Sequence, residues 1–310
     1  MSIYDYQGNV VSGNIVFVSV TDYGAKGDGT TNDSTAIQSA LDALKDTGGI
    51  IYFPQGTYRL NTNVLFYSNQ TLWFENGAKL LQGASIDNLL MSYCGNDVGE
   101  YNGTHDCVIY GAVFDGGTYT TNNTLVGIVH CKNITFENCT FKNAYGKWHN
   151  LEINSSYNVK VINCDFEGSR KNHEDGCMIQ IDAINNTNTW PWNNRGLVDN
   201  TASKYVEICN SIFHDNSYSP AIGNHSQVAD YYTRIHDNVF DGLTSSRGAI
   251  NFLTMSNTDI YSNTFNGCTK GIGSGGTSCY IYENRFVDVE TPIVGIPVSH
   301  NNMINGTYTA

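Results

Sequence analysis

The side chains best suited to chemistry gather in the middle of the sequence. Glu152 stands in His149-Asn-Leu-Glu-Ile-Asn154 and Asp182 in Cys177-Met-Ile-Gln-Ile-Asp182, two short runs with apolar residues at every second position. Alternation turns Leu151, Ile153, Ile179 and Ile181 to one side, and Glu152, Asn154, Gln180 and Asp182 to the other. Two later runs, Ala221-Ile-Gly-Asn-His225 and Gly248-Ala-Ile-Asn-Phe252, add His225 and Asn251 to the polar side. The segment Arg170-Lys-Asn-His-Glu-Asp-Gly176 brings His173, Glu174 and Asp175 just ahead of the Asp182 run. Paired carboxylates of this kind suit general acid and base or nucleophile work on a glycosidic bond: about 5 Å apart for retention, wider for inversion. Mutual repulsion at that distance raises one pKa and leaves the other group ionised. Asp182, Glu152, Asp175, Glu174 and His225 are therefore the catalytic candidates, with Asp182 first. The bland reading of the same residues is a solvated face of Asn and Asp ladders beside a hydrophilic Glu-Asp-Gly turn.

Flat apolar side chains lie close to these groups. Trp190-Pro-Trp192 follows Asp182, and Trp148-His149 precedes the Glu152 run. Indoles among asparagines offer platforms for sugar rings with hydrogen bonds alongside. Trp190, Trp192, Trp148, His149, His173, Gln180, Asn251 and Arg247 are the substrate-binding candidates; their alternative role is packing of a loop onto the body of the protein.

A repeat must position these groups. Phe114, Phe141, Phe166, Phe213, Phe240, Phe265 and Phe286 lie 27, 25, 47, 27, 25 and 21 residues apart. The long interval equals one period plus an insertion, placed near residues 183–204. Most of these rings follow an Asn, as in Asn138-Cys-Thr-Phe141, Asn163-Cys-Asp-Phe166 and Asn263-Thr-Phe265. A unit of two or three short strands cannot bury its apolar side alone. Units stacked about 4.8 Å apart bury a continuous column, with asparagine ladders at the turns. The fold expected is an all-β, right-handed parallel β-helix in one domain over residues 1–310. Its coils run from about residue 50, and residues 1–49 form an amino-terminal segment and cap. Within that cap, Asp33-Ser-Thr-Ala-Ile-Gln-Ser-Ala-Leu-Asp-Ala-Leu44 has Asp or Ser as N-cap and Ile37, Ala40, Leu41 and Leu44 on one face, the pattern of a capping α-helix.

Val20-Thr-Asp-Tyr-Gly-Ala-Lys-Gly-Asp-Gly29, Asp33, Ala36-Ile-Gln38 and Gly49-Ile-Ile-Tyr-Phe-Pro-Gln-Gly-Thr-Tyr58 resemble the amino-terminal signature of the pectate-lyase-like superfamily. That resemblance implies the same β-helix, and a place among polysaccharide-degrading enzymes and bacteriophage tailspikes. It is specific for fold and weak for activity, since the superfamily holds lyases, hydrolases, epimerases and adhesins. The glycines of Gly24–Gly29 read as turn formers, because the Gly-Lys-Ser/Thr of a phosphate-binding loop is missing.

A net charge of −13 and a pI near 4.8 argue against nucleic acid as a partner, and no apolar stretch is long enough for membrane insertion. Nine cysteines without a close CxxC pair read as free, buried thiols. The start Met1-Ser-Ile-Tyr-Asp-Tyr lacks the features of a secretory signal, so export by another route or a removed leader is expected for a protein that works outside the cell or on a phage virion. Three functions fit: a glycoside hydrolase acting on a polysaccharide or oligosaccharide without a metal; a polysaccharide lyase on a uronate glycan, with Ca²⁺; and a glycan-binding tailspike or adhesin module. The 16 cations of the chain favour hydrolysis of a weakly charged glycan over the lyase. A monomer or a homotrimer is expected.

Overall fold

A computed structural model describes residues 16–146, 148–170, 176–185, 196–224, 232–253, 255–275, 278–295 and 298–308. Its strands form three long sheets of 11, 12 and 9 strands, each adding one strand per turn of the chain. Neighbours are parallel throughout, apart from the final pair Met303–Ile304 and Thr307–Tyr308. The molecule is a right-handed parallel β-helix.

Why these residues stack is visible in the second sheet. Phe114, Phe141, Phe166, Phe213, Phe240, Phe265 and Phe286 are fully buried. Successive ring centroids from Phe114 to Phe286 lie 5.0, 4.5, 5.0, 4.9, 4.7 and 4.8 Å apart. These spacings match the rise between strands, so each ring sits on the one below.

The asparagines preceding these rings separate into two adjacent columns. Asn138, Asn163 and Asn210 lie three residues before their Phe, in left-handed backbone with φ of 55, 55 and 53°. Asn238, Asn263 and Asn284 lie two residues before theirs and point inward, each about 1% exposed. In this inner column Asn238, Asn263 and Asn284 donate through Nδ2 to the Oδ1 of the next member at 3.0, 2.9 and 3.1 Å, ending on Asn302. Cys139, Cys164 and Ser211 occupy the same inner position in earlier coils. Small polar side chains fit there because the turn backbone needs a partner: the Cys164 amide donates to Ser211 Oγ, and the Ser211 amide to Asn238 Oδ1.

The first coil begins earlier than residue 50. Phe17–Ser19 pairs with Gly49–Phe53 in the first sheet, and Asp28–Asn32 with Thr57–Leu60 in the second. The helix Ser34–Ala43 then stands where the third-sheet strand of that coil would be. It buries Ile37, Ala40 and Leu41 against the column. Gln38 also takes up the free edge of Val64–Phe66, donating to Leu65 O at 3.1 Å and accepting from Leu65 N at 2.8 Å. Asp33 occupies the N-cap position without capping the helix. Its carboxylate instead accepts from the Lys26 and Gly27 amides at 2.7 and 3.0 Å, and so holds the glycine-rich turn.

All nine cysteines are free and buried. Burial pushes the Cys94 and Cys131 thiols up to about 12. The folded protein should react negligibly with a thiol reagent at pH 8, whereas all nine thiols should react in denaturant; prompt modification of the native state would contradict this packing.

Candidate functional site

The outer face of the third sheet carries the carboxylates picked out by alternation. Leu151–Asn154 pairs in parallel with Ile179–Asp182, setting Glu152 opposite Gln180 and Asn154 opposite Asp182. Carboxylates and amides thus alternate along both directions of the sheet. Within each strand the amide binds the acid: Asn154 Nδ2 donates to Glu152 Oε1 and Gln180 Nε2 to Asp182 Oδ2, both at 2.8 Å. Glu152 and Asp182 are diagonal neighbours rather than facing ones. A strand spacing of about 4.8 Å and a two-residue rise of about 6.6 Å put their Cα atoms roughly 8 Å apart.

A correction concerns exposure. Alternation predicts an open polar groove, yet Glu152 is 8% exposed, Asn154 2%, and Gln180 and Asp182 0%. A small apolar layer lies outside the barrel on the same sheet. Met91, Cys94, Val129 and Ile184 form it, with Val98, Trp148 and Val198 packed against them. Two chain segments distant in sequence meet beside that layer. The Leu197 amide donates to Val98 O at 2.7 Å, the Glu100 amide to Asp199 Oδ2 at 2.6 Å, and Tyr101 OH to Ala202 O at 2.7 Å. Buried His130 lies between them, its ring nitrogens 2.7 Å from Glu100 O and 2.9 Å from Leu197 O. The end of the insertion, residues 196–202, therefore reaches back toward earlier coils. In the carboxylate grid, Asn154 Oδ1 and Gln180 Oε1 are buried without a hydrogen-bond partner among the described residues.

The remaining candidates divide. His149 is buried, with Nδ1 3.2 Å from Cys177 O. Trp148 is half-buried and packs against the apolar layer. Asn251 shares the column of Glu152 and Gln180, separated from Gln180 by Gly223, and is half-buried. Arg247 is also half-buried; its amide donates to Ser245 Oγ at 3.2 Å. His173, Glu174, Asp175, Trp190, Trp192 and His225 lie outside the described residues. Among the described residues no three His, Cys, Asp or Glu side chains converge as metal ligands, and no helix is long and apolar enough to cross a membrane.

Sequence reading passed over the outer face of the first sheet. Asp106, Asn133, Asn158, Tyr205, Tyr232, Asn257 and Ser278 occupy one position in successive coils there, all with left-handed backbone. Tyr205 and Tyr232 stack at 4.9 Å and 8°, and are 43% and 51% exposed. The signal is the break in a column of Asn and Asp, readable only after the first-sheet strands are in register.

A model described as rhamnogalacturonase A/epimerase, pectate lyase-like, matches residues 17–189, more than half of the chain. The plasmin and fibronectin-binding protein A of Streptococcus pneumoniae is 30% identical over 90% of this chain, which spans only 45% of that protein. The crystal structure of PfbA, a surface adhesin of Streptococcus pneumoniae, superposes with a TM-score of 0.77 at 24% identity, covering 93% of this chain and 78% of the other. An exopolygalacturonase from Thermotoga maritima gives 0.63 at 14% identity, over 93% and 79% of the two chains. These two structural likenesses are likenesses of fold. The model matched over residues 17–189 places the chain in the pectate-lyase-like rhamnogalacturonase A/epimerase family.

Proposed function

We propose that this chain is a glycan-recognising β-helix that binds a polysaccharide at a cell or virion surface without cleaving it. The observation that carries the reading is the burial of Asp182. An acid–base pair must reach the glycosidic oxygen and a water, and a carboxylate with no exposed surface reaches neither. Its hydrogen bond from Gln180, and the matching bond from Asn154 to Glu152, make both acids members of a structural grid. Family membership supports a glycan as the ligand. The similarity to a protein named for binding plasmin and fibronectin supports a surface role that needs no chemistry.

The hydrolase reading keeps one specific observation. Asn154 Oδ1 and Gln180 Oε1 are buried beside the acids without a partner among the described residues, so a rearrangement that opened this face would leave them to accept from sugar hydroxyls. Incubation with bacterial capsules, plant pectins and exopolysaccharides separates the readings. Binding should be retained on at least one glycan with no release of reducing ends. Reducing ends formed by the wild type and lost in both Asp182→Asn and Glu152→Gln would establish the hydrolase instead. Unsaturated products abolished by EDTA and restored by Ca²⁺ would establish the lyase.

A further inference from the structure

The first-sheet column holds a feature that packing does not account for. In its early coils the fold uses short polar residues, which tolerate left-handed backbone and bond along the helix axis. Asn133 Nδ2 donates to Asp106 Oδ1, and Asn158 Nδ2 to Asn133 Oδ1, both at 2.7 Å. At the next two coils this ladder stops, and Tyr205 and Tyr232 take the same backbone conformation, with φ of 57 and 61°. A bulky aromatic residue is strained there, and each substitution also forfeits a ladder bond. Neither ring is buried in return. Tyr157 adds a third ring, 5.0 Å from Tyr205 and edge-on to it. The column then returns to Asn257, whose short side chain ends the run of rings.

At that point the surface forms a depression of about 470 Å³, lined by Tyr205, Tyr232, Glu207, Arg234, Asn257 and Asp259. Its charges are already matched. Arg234 Nη2 lies 3.1 Å from Glu207 Oε1, His236 Nε2 3.4 Å from the same oxygen, and Lys160 Nζ 4.0 Å from Glu207 Oε2. An anionic ligand would have to displace Glu207 from Arg234 and Lys160, whereas a neutral polyol needs only donors and acceptors. Burial pushes the Asp259 carboxyl up, and neighbouring Arg234 partly offsets this.

We propose that this depression is a binding subsite for a neutral oligosaccharide: a pyranose ring continues the stack beyond Tyr232, and Asn257, Asp259 and Arg234 hydrogen-bond its hydroxyls. Two strained, exposed, mutually stacked tyrosines at the mouth of a charge-balanced hollow have that recognition chemistry. The site lies on a different sheet from the buried carboxylates and rests on the reading of the chain as a glycan binder.

The test is calorimetric titration of the full chain with cellohexaose, xylohexaose, mannohexaose and maltohexaose, with trigalacturonate as the anionic comparison. The wild type should bind at least one neutral hexaose and bind trigalacturonate more weakly. The double variant Y205N/Y232N, which restores the ladder residues, should keep or raise the melting temperature and weaken that binding by roughly tenfold or more. Y232F, which keeps the ring, should retain it. Equal affinity in wild type and Y205N/Y232N overturns the site while leaving the glycan-binding reading standing. Tightest binding of trigalacturonate, or no binding of any hexaose by the wild type, also overturns the site; the glycan-binding reading is then decided separately on the polysaccharide panel.

Discussion

Phe166→Ala should lower the unfolding free energy by about 3–5 kcal/mol, the range for removing a fully buried aromatic ring from a packed core. Phe166 has no exposed surface and is held between Phe141, at 4.5 Å and 3°, and Phe213, at 5.0 Å and 8°. Truncation leaves a gap in the middle of a column that cannot shorten, because the strand spacing is fixed by backbone hydrogen bonds on either side. Both neighbouring rings lose a stacked face at once. Phe166→Leu, which refills most of the volume, should cost markedly less. Urea unfolding of the two variants beside the wild type measures the difference, and a loss below about 1 kcal/mol for the Ala variant would mean that the stack does not carry the fold.

That column was legible because its signal is local and repeats. Each Phe lies within one coil of the next, so the intervals alone give the stacking partner, and the one long interval marks the insertion. The asparagines were legible only in part. Asn138-Cys-Thr-Phe141 and Asn238-Val-Phe240 differ by a single residue, so one pattern covers both, and only register separates the outer left-handed column from the inner hydrogen-bonded one. For Glu152 and Asp182, alternation gave the correct side of the strand, since both point away from the barrel core. It could not give exposure, which depends on contacts between segments distant in sequence, such as those near Val98 and Leu197, about a hundred residues apart, that meet beside an apolar layer no period announces. Tyr205 and Tyr232 escaped notice for a similar reason: their meaning lies in the asparagines above and below them, not in their own neighbours in sequence.

The second large effect is expected at Asp182. Its carboxylate accepts from Gln180 Nε2 at 2.8 Å inside a grid with no exposed surface at either residue. Asp182→Ala removes that acceptor and strands the Gln180 amide where no solvent reaches it. A hydrogen bond to a charged group contributes about 1.5–3 kcal/mol, and a buried donor left unpaired adds its desolvation cost. The loss should therefore be at least about 1.5–3 kcal/mol, with glycan binding unchanged in the fraction that remains folded. An exposed catalytic carboxylate behaves oppositely, since its removal changes stability by no more than about 0.5 kcal/mol while abolishing turnover.

Urea unfolding of Asp182→Ala against the wild type is thus the most direct test of whether the strand carboxylates are structural. A drop of about 1.5 kcal/mol or more is the result the buried grid predicts. Unfolding indistinguishable from the wild type would contradict it, placing Asp182 in solvent and returning it to the role of a catalytic acid or base.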